Sequence, residues 1–268
     1  MAGLLIVNPR SGDESGSDGL LEAAAKRGVR VHVSRPGEDL AETARQAPDG
    51  PIGVAGGDGS LAPVADVCLE RDLPFVCVPF GTRNHFARDL GLDRDDPVAA
   101  LDAFVDDVER RIDVGRANER LFLNNVSLGL YARLVHRREQ HRRRTEAVAR
   151  LRALAILAQH PHPIGIAIDG KPVRARVVLV ANNSYSLEVF SLGEREGLDE
   201  GCLHLYALAG PLRSAWEERK GRRFVVGASG PLGAAVDGEP DELETPIEFR
   251  VEPRALRVLV PRAVLSAQ

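Results

Sequence analysis

The chain has 268 residues, 44% hydrophobic and 28% charged, the balance of a globular protein able to bury one large core or two modest ones. Its net charge of −4 gives no overall attraction for nucleic acid, so contact with a membrane or polyanion has to come from a local patch. Cys68, Cys77 and Cys202 are odd in number, far apart and set in apolar runs; they read as buried thiols in a reducing compartment, neither a disulfide framework nor a zinc knot.

In chain order, apolar runs at 4–7, 29–33, 52–55 and 74–78 read as strands. Helical stretches at 20–27, 40–47 and 61–71 lie between them, the last with Ser60 as its N-cap. Continuous apolar strands alternating with helices predict a parallel sheet covered on both faces. Only four apolar residues precede Asn8-Pro9, too few for a signal peptide, and no window is long and apolar enough to cross a bilayer. The expectation is a cytoplasmic protein that meets lipid, where it does, from the surface.

After a predicted helix at 97–108 the pattern changes. Residues 111–116 and 121–128 read as strands, and a long helical candidate at 131–159 interrupts them. Strands then dominate: 164–168 and 173–181 around the hairpin signal Asp169-Gly170, then 202–208, 224–228, 247–251 and 256–260. The expectation is an α/β protein of two domains: residues 1–112 around the parallel sheet, and residues 113–268 as an antiparallel β-sandwich. The residues after Pro261 are free to return to the first domain.

Ligands of such parallel sheets sit outside the carboxyl ends of the strands, where the polar segments of this chain fall. Asn8-Pro9-Arg10-Ser11-Gly12 follows the first strand and Ser34-Arg35-Pro36-Gly37 the second. Gly56-Gly57-Asp58-Gly59-Ser60 follows the third and Pro79-Phe80-Gly81-Thr82-Arg83-Asn84 the fourth. A strand, a tight glycine turn and a helix start aim backbone N–H groups at one spot, which suits phosphate. The carboxylate of Asp58 in that turn calls for a divalent cation between it and the phosphates. There is no Gly-Lys-Ser/Thr P-loop, and the turn lacks the glycine spacing of a dinucleotide fingerprint.

These loops, with Asp237-Gly238-Glu239-Pro240 further on, resemble the diacylglycerol kinase catalytic-domain family, which includes bacterial lipid kinases and the sphingosine and ceramide kinases. The resemblance covers almost the whole chain. It implies a NAD kinase-like first domain, a lipid kinase β-sandwich, and ATP with Mg²⁺ in the cleft between them. It implies that Asn8, Ser11 and Gly12 hold phosphate or ribose, that Ser34 stands at the adenine side, and that Gly56, Gly57, Asp58, Gly59 and Ser60 form the phosphate turn with Thr82 and Asn84 beside it. Glu239 matches the family's proton acceptor; Asp237 supports it or the Mg²⁺ water shell, and Asp58 organises Mg²⁺ and phosphate. By itself, Asp237-Gly238 is an ordinary type I′ hairpin turn, as at Asp169-Gly170.

The segment Asp199-Glu200-Gly201-Cys202 resembles the family's structural Mg²⁺ site, with the Glu200 carboxylate and carbonyls of Gly197 and Cys202 as ligands; family members carry aspartate where Glu200 stands. The family also continues Gly-Thr into Asn-Asp, where this chain has Asn84-His85. Residues 136–144 are a dense basic run beside an apolar helical stripe, read either as a solvated helix face or as a contact with anionic lipid. The implied partner is a lipid substrate at a membrane surface, without nucleic acid; a homodimer is an admissible assembly. Two rivals are a NAD kinase, which shares a Gly-Gly-Asp-Gly turn, and a catalytically weak nucleotide-binding module at membranes.

Overall fold

A computed structural model gives the fold, described for residues 3–9, 11, 14–81, 84–129, 164–188, 191–195, 197–208 and 216–265. The chain divides into two compact units, Met1–Ile112 with Arg254–Gln268, and Asp113–Pro253.

The first unit begins with β1 (Leu4–Val7), α1 (Glu14–Lys26), β2 (Arg30–Val33), α2 (Leu40–Arg45), β3 (Ile52–Gly56), α3 (Asp58–Glu70) and β4 (Phe75–Pro79). The short helices α4 (His85–Asp89) and α5 (Pro97–Ala100) follow, then a 3₁₀ turn Leu101–Phe104 and the start of β5 (Asp107–Ala117). β1 pairs in parallel with β2 and β3, and β3 with β4. β3 and β4 are buried along their full length, which is why their residues are apolar without alternation. Each fully buried Ile or Val here, such as Ile6, Ile52 and Val54, contributes about 1.5–3 kcal/mol.

Helix α3 lays Leu61, Val64, Ala65, Val67 and Cys68 into this core. It starts at Asp58 with Gly57 as N-cap, three residues ahead of the expected start, so Ser60 is not the cap. The helix expected at 97–108 is also shorter. α5 tightens into the 3₁₀ turn, Val105 leaves helical dihedrals, and the chain becomes strand at Asp107.

The second unit holds β6 (Arg120–Phe122), β7 (Asn125–Gly129), β8 (Ile164–Ile168), β9 (Lys171–Ala175), β10 (Val177–Asn182), β11 (Tyr185–Glu188), β12 (Ser191–Arg195), β13 (Leu203–Leu208), β14 (Trp216–Gly221), β15 (Arg223–Ala228), β16 (Leu232–Val236) and β17 (Glu239–Leu243). Finally β18 (Ile247–Pro261) is a single strand where two were expected; its first half pairs antiparallel with β15. Its second half, with Val258 beside Phe75, pairs in parallel with β4, and α6 (Arg262–Leu265) ends the described chain.

A six-stranded antiparallel sheet runs β14-β13-β10-β7-β16-β17. Its inner face meets that of β15, β8, β9 and the first half of β18 in one core containing Val126, Val180, Leu205, Ile168, Phe224 and Phe249. Phe122 and Phe249 cross edge to face there, 6.4 Å between centroids. The protein is thus an α/β fold with a parallel-rich sheet, which β18 continues into β15, β8 and β9, and a separate antiparallel sheet. No helix among the described residues is long and apolar enough to cross a membrane. The helical candidate 131–159 and the basic run 136–144 lie outside the described residues.

Candidate active site

In the first unit the strand order β2-β1-β3-β4 places a topological switch between β1 and β3. The side chain of Asn8, just past β1, spans it and donates from Nδ2 to the Ser60 hydroxyl at 2.9 Å. Asn8 also donates its backbone N–H to Ala55, and Ser11 closes the turn by donating to the Asn8 carbonyl at 3.1 Å. Ser34, after β2, is turned inward, only 6% exposed, and its hydroxyl donates to the Val7 carbonyl at 3.2 Å. Its place at the strand end agrees with the expectation, but its hydroxyl proton is used by the fold.

The glycine turn and the loop after β4 lie back to back. A Cβ on Gly81 would sit 2.5 Å from Gly57 Cα, a distance no side chain tolerates. Asn84 holds the second loop in a left-handed conformation (φ 47°) and hydrogen-bonds Gly81 twice, receiving its N–H at 3.0 Å and donating to its carbonyl at 2.9 Å. Asp58 ties the two loops together. Its Oδ2 accepts the His85 N–H at 3.1 Å and its Oδ1 the Phe86 N–H at 3.0 Å. The first N–H groups of α4 have no partner in their own helix, and Asn84 gives no side-chain cap, so Asp58 satisfies them from another helix. Gly12 and Thr82 lie outside the described residues.

In the second unit, Asp237 and Gly238 both take positive φ (47° and 88°) in a two-residue turn joining β16 to β17. Asp169-Gly170 makes the same kind of turn, yet the two aspartates differ. The Asp237 carboxylate is 7% exposed and accepts three backbone N–H groups, from Leu123 at 2.8 Å, Asn124 at 2.7 Å and Asn125 at 3.1 Å. Those donors are lost to the β-ladder, so the run expected at 121–128 breaks into β6 and β7. Glu239, the proposed proton acceptor, opens β17 with an exposed side chain opposite Val236.

Sequence reasoning missed the groups around this clamp. Arg195 is buried and donates to the Leu123 carbonyl at 2.7 Å and to Asn124 Oδ1 at 2.8 Å, with its guanidinium 5.5 Å from the Tyr185 ring centre. Asn182 donates to the carbonyls of Asp113 and Leu123. The asparagine pairs 124–125 and 182–183, polar residues at ends of apolar runs, were the available signal.

The donor set at Glu200 does not fit the structural Mg²⁺ site. Mg²⁺ asks for an octahedron of oxygens. Here Glu200 Oε2 contacts His204 Nε2 at 2.9 Å, Cys202 Sγ at 3.4 Å and Lys220 Nζ at 3.4 Å, while Oε1 accepts from Ser184. The Cys202 carbonyl is taken by the Asn183 N–H. Burial pushes the Glu200 carboxyl up, but the hydrogen bonds from Ser184, His204 and Cys202 outweigh it and hold the group at about 2.

Residues 2–117 match the family model described as diacylglycerol kinase catalytic domain. A diacylglycerol kinase of Bacillus subtilis (strain 168) is 30% identical over 142 residues, 49% of this chain and 47% of the relative. One from Mycobacterium tuberculosis (strain H37Rv) is 30% identical over 184 residues, 62% of this chain and 58% of the relative. The chain thus spans about half the length of these curated relatives. A crystal structure described as that of a diacylglycerol kinase from Bacillus anthracis str. Sterne covers 98% of both chains with a TM-score of 0.69 at 18% identity, a likeness of fold. Sequence match and fold together bear out the resemblance to the diacylglycerol kinase catalytic domain drawn from the motifs.

Proposed function

We propose that the protein is an ATP-dependent lipid kinase that transfers the γ-phosphoryl group of ATP to a lipid hydroxyl, with diacylglycerol as the default substrate. The observation that carries this reading is the interlock of the Gly56–Ser60 turn with the Gly81–Asn84 loop at the β1/β3 switch point. The turn opens a helix of 13 residues, whose first amides and dipole favour an anion. Asn8, Ser11 and Ser60 supply polar groups at the same strand ends.

Mg²⁺ arrives with ATP as part of the substrate and neutralises phosphate charge. Asp58 fits a role beside it. Two of its lone pairs hold the start of α4, and the others remain for the water shell of the ion. Asp237 acts as a positioning residue, fixing the turn from which Glu239 projects. Glu239 accepts the proton of the lipid hydroxyl as that oxygen attacks the γ-phosphorus and ADP leaves, a contribution of roughly 10²–10⁴ in rate. In the same reading the first unit is the nucleotide-binding domain and the protein acts in the cytoplasm.

The test is parallel incubation with γ-labelled ATP and Mg²⁺ of diacylglycerol in mixed vesicles and of NAD. Label extracted with the lipid as phosphatidic acid supports the reading. Label appearing only in NADP overturns it in favour of a NAD kinase.

A further inference from the structure

We propose that Glu200, Cys202 and His204 form a three-ligand site for Zn²⁺ or a similarly borderline divalent ion. Their ligand atoms all lie within 4.8 Å of one another, the one such group of three found among the described residues. The three residues alternate along the chain as it enters β13, so Cys202 and His204 share the face of the strand opposite Leu203 and Leu205.

The spacing fits a tetrahedral ion. With Zn–S near 2.3 Å, Zn–N near 2.0–2.1 Å and Zn–O near 2.0–2.2 Å, ligand atoms at tetrahedral angles stand about 3.3–3.6 Å apart. The structure has Cys202 Sγ 3.6 Å from His204 Nε2 and 3.4 Å from Glu200 Oε2. Oε2 and Nε2, at 2.9 Å, need to part by only a few tenths of an ångström. A thiolate and a carboxylate balance the charge of the ion, and water takes the fourth position.

The surroundings are those of a supported ligand set. His204 Nδ1 lies 2.8 Å from Glu218 Oε1 on β14, the carboxylate–histidine arrangement that fixes which ring nitrogen faces a metal. The His204 ring also stacks on Tyr206, 6.1 Å between centroids. Cys202 and His204 are each 5% exposed, whereas the Lys220 side chain, the competing cation, is 61% exposed and free to swing into water. A sulfur and an imidazole select against Mg²⁺ and Ca²⁺, which take oxygen. The site ties the 197–202 loop to β13 and the edge strand β14, and it does not depend on the kinase reading.

The test uses the full chain stripped of metal, titrated with Zn²⁺ against a chromophoric chelator and, separately, with Co²⁺. The expected result is one high-affinity Zn²⁺ per chain and a Co²⁺ complex with a sulfur-to-cobalt charge-transfer band and intense tetrahedral visible bands. Cys202→Ser removes the charge-transfer band, and Glu218→Gln, on the partly exposed supporting carboxylate, weakens Zn²⁺ by about 10–100-fold. The absence of the sulfur band in the wild type, Zn²⁺ affinity unchanged in both variants, or displacement of Zn²⁺ by excess Mg²⁺ would each overturn the proposal.

Discussion

Asp58, in the first turn of α3, receives the Phe86 N–H at 3.0 Å and so starts a helix 28 residues further along the chain. The acid that looks like a metal ligand is also the cap of α4, which predicts a stability effect without nucleotide. Asp58→Ala removes the carboxylate that accepts two N–H groups and should cost about 2–4 kcal/mol, since hydrogen bonds to charged groups are worth about 1.5–3 kcal/mol each. For a chain of this size that lowers the thermal midpoint by roughly 5–15 °C. Asp58→Asn keeps one acceptor and should lose about half as much. Thermal unfolding of the ligand-free variants checks this; an unchanged midpoint in Asp58→Ala would contradict the capping role.

The two glycine loops should respond unequally to a methyl group. At Gly81 the added Cβ meets the Gly57 backbone at 2.5 Å, and backbone cannot rotate away. At Gly57 the nearest atom to an added Cβ is 3.8 Å distant, an ordinary contact. Gly81→Ala should therefore cost about 1–3 kcal/mol as an overpacked site, and Gly57→Ala under about 1 kcal/mol. Denaturant midpoints of the two variants measure the difference directly.

The same logic separates the two Asp-Gly turns. Asp237→Asn forces an amide N–H against one of three backbone donors at a buried site, at a cost of about 2–4 kcal/mol. Asp169 is exposed and accepts the Val225 N–H, and its change to Asn should cost under about 1 kcal/mol. Urea unfolding distinguishes them, and equal losses would remove Asp237 from its clamping role.

Much of the first unit was legible because buried parallel strands announce themselves as unbroken apolar runs, and 4–7, 52–55 and 74–78 fall within a residue of β1, β3 and β4. The strand-end loops were legible for the same reason. The links made at long range were not. The cap from Asp58 to α4 and the clamp from Asp237 to residues 123–125 join positions 27 to 114 residues apart, and local pattern carries no trace of them. Edge strands were missed as well: β14 reads Trp-Glu-Glu-Arg-Lys-Gly and β17 Glu-Pro-Asp-Glu-Leu. Charges and proline are what sheet edges carry, and they look like loop. At Glu200 the resemblance supplied a hard-ion site that the surrounding sulfur and imidazole do not support.

Glu38 fixes the loop that carries Ser34, accepting from the Arg35 N–H at 2.8 Å and the Thr43 hydroxyl at 2.9 Å. The Arg35 N–H, then Thr43 and the His32 ring, hold its carboxyl down at about 2 from an ordinary 4.5. A carboxyl depressed on folding stabilises above its unfolded pKa, and that contribution is lost as the pH falls from about 4.5 toward 2. Wild type should therefore exceed Glu38→Gln in thermal midpoint at pH 7, and the gap should close over this acid window. A gap that stays constant down to pH 2 would contradict the assignment.

The central claim is phosphoryl transfer from ATP on the glycine turn to a lipid hydroxyl with Glu239 as the proton acceptor. It is tested most directly by comparing wild type with Glu239→Gln in single-turnover label transfer from γ-labelled ATP to diacylglycerol vesicles, with ATP affinity measured on the same preparations. The account predicts a loss of roughly 10²–10⁴-fold in transfer rate with ATP affinity unchanged. Equal transfer rates in the two proteins would contradict it.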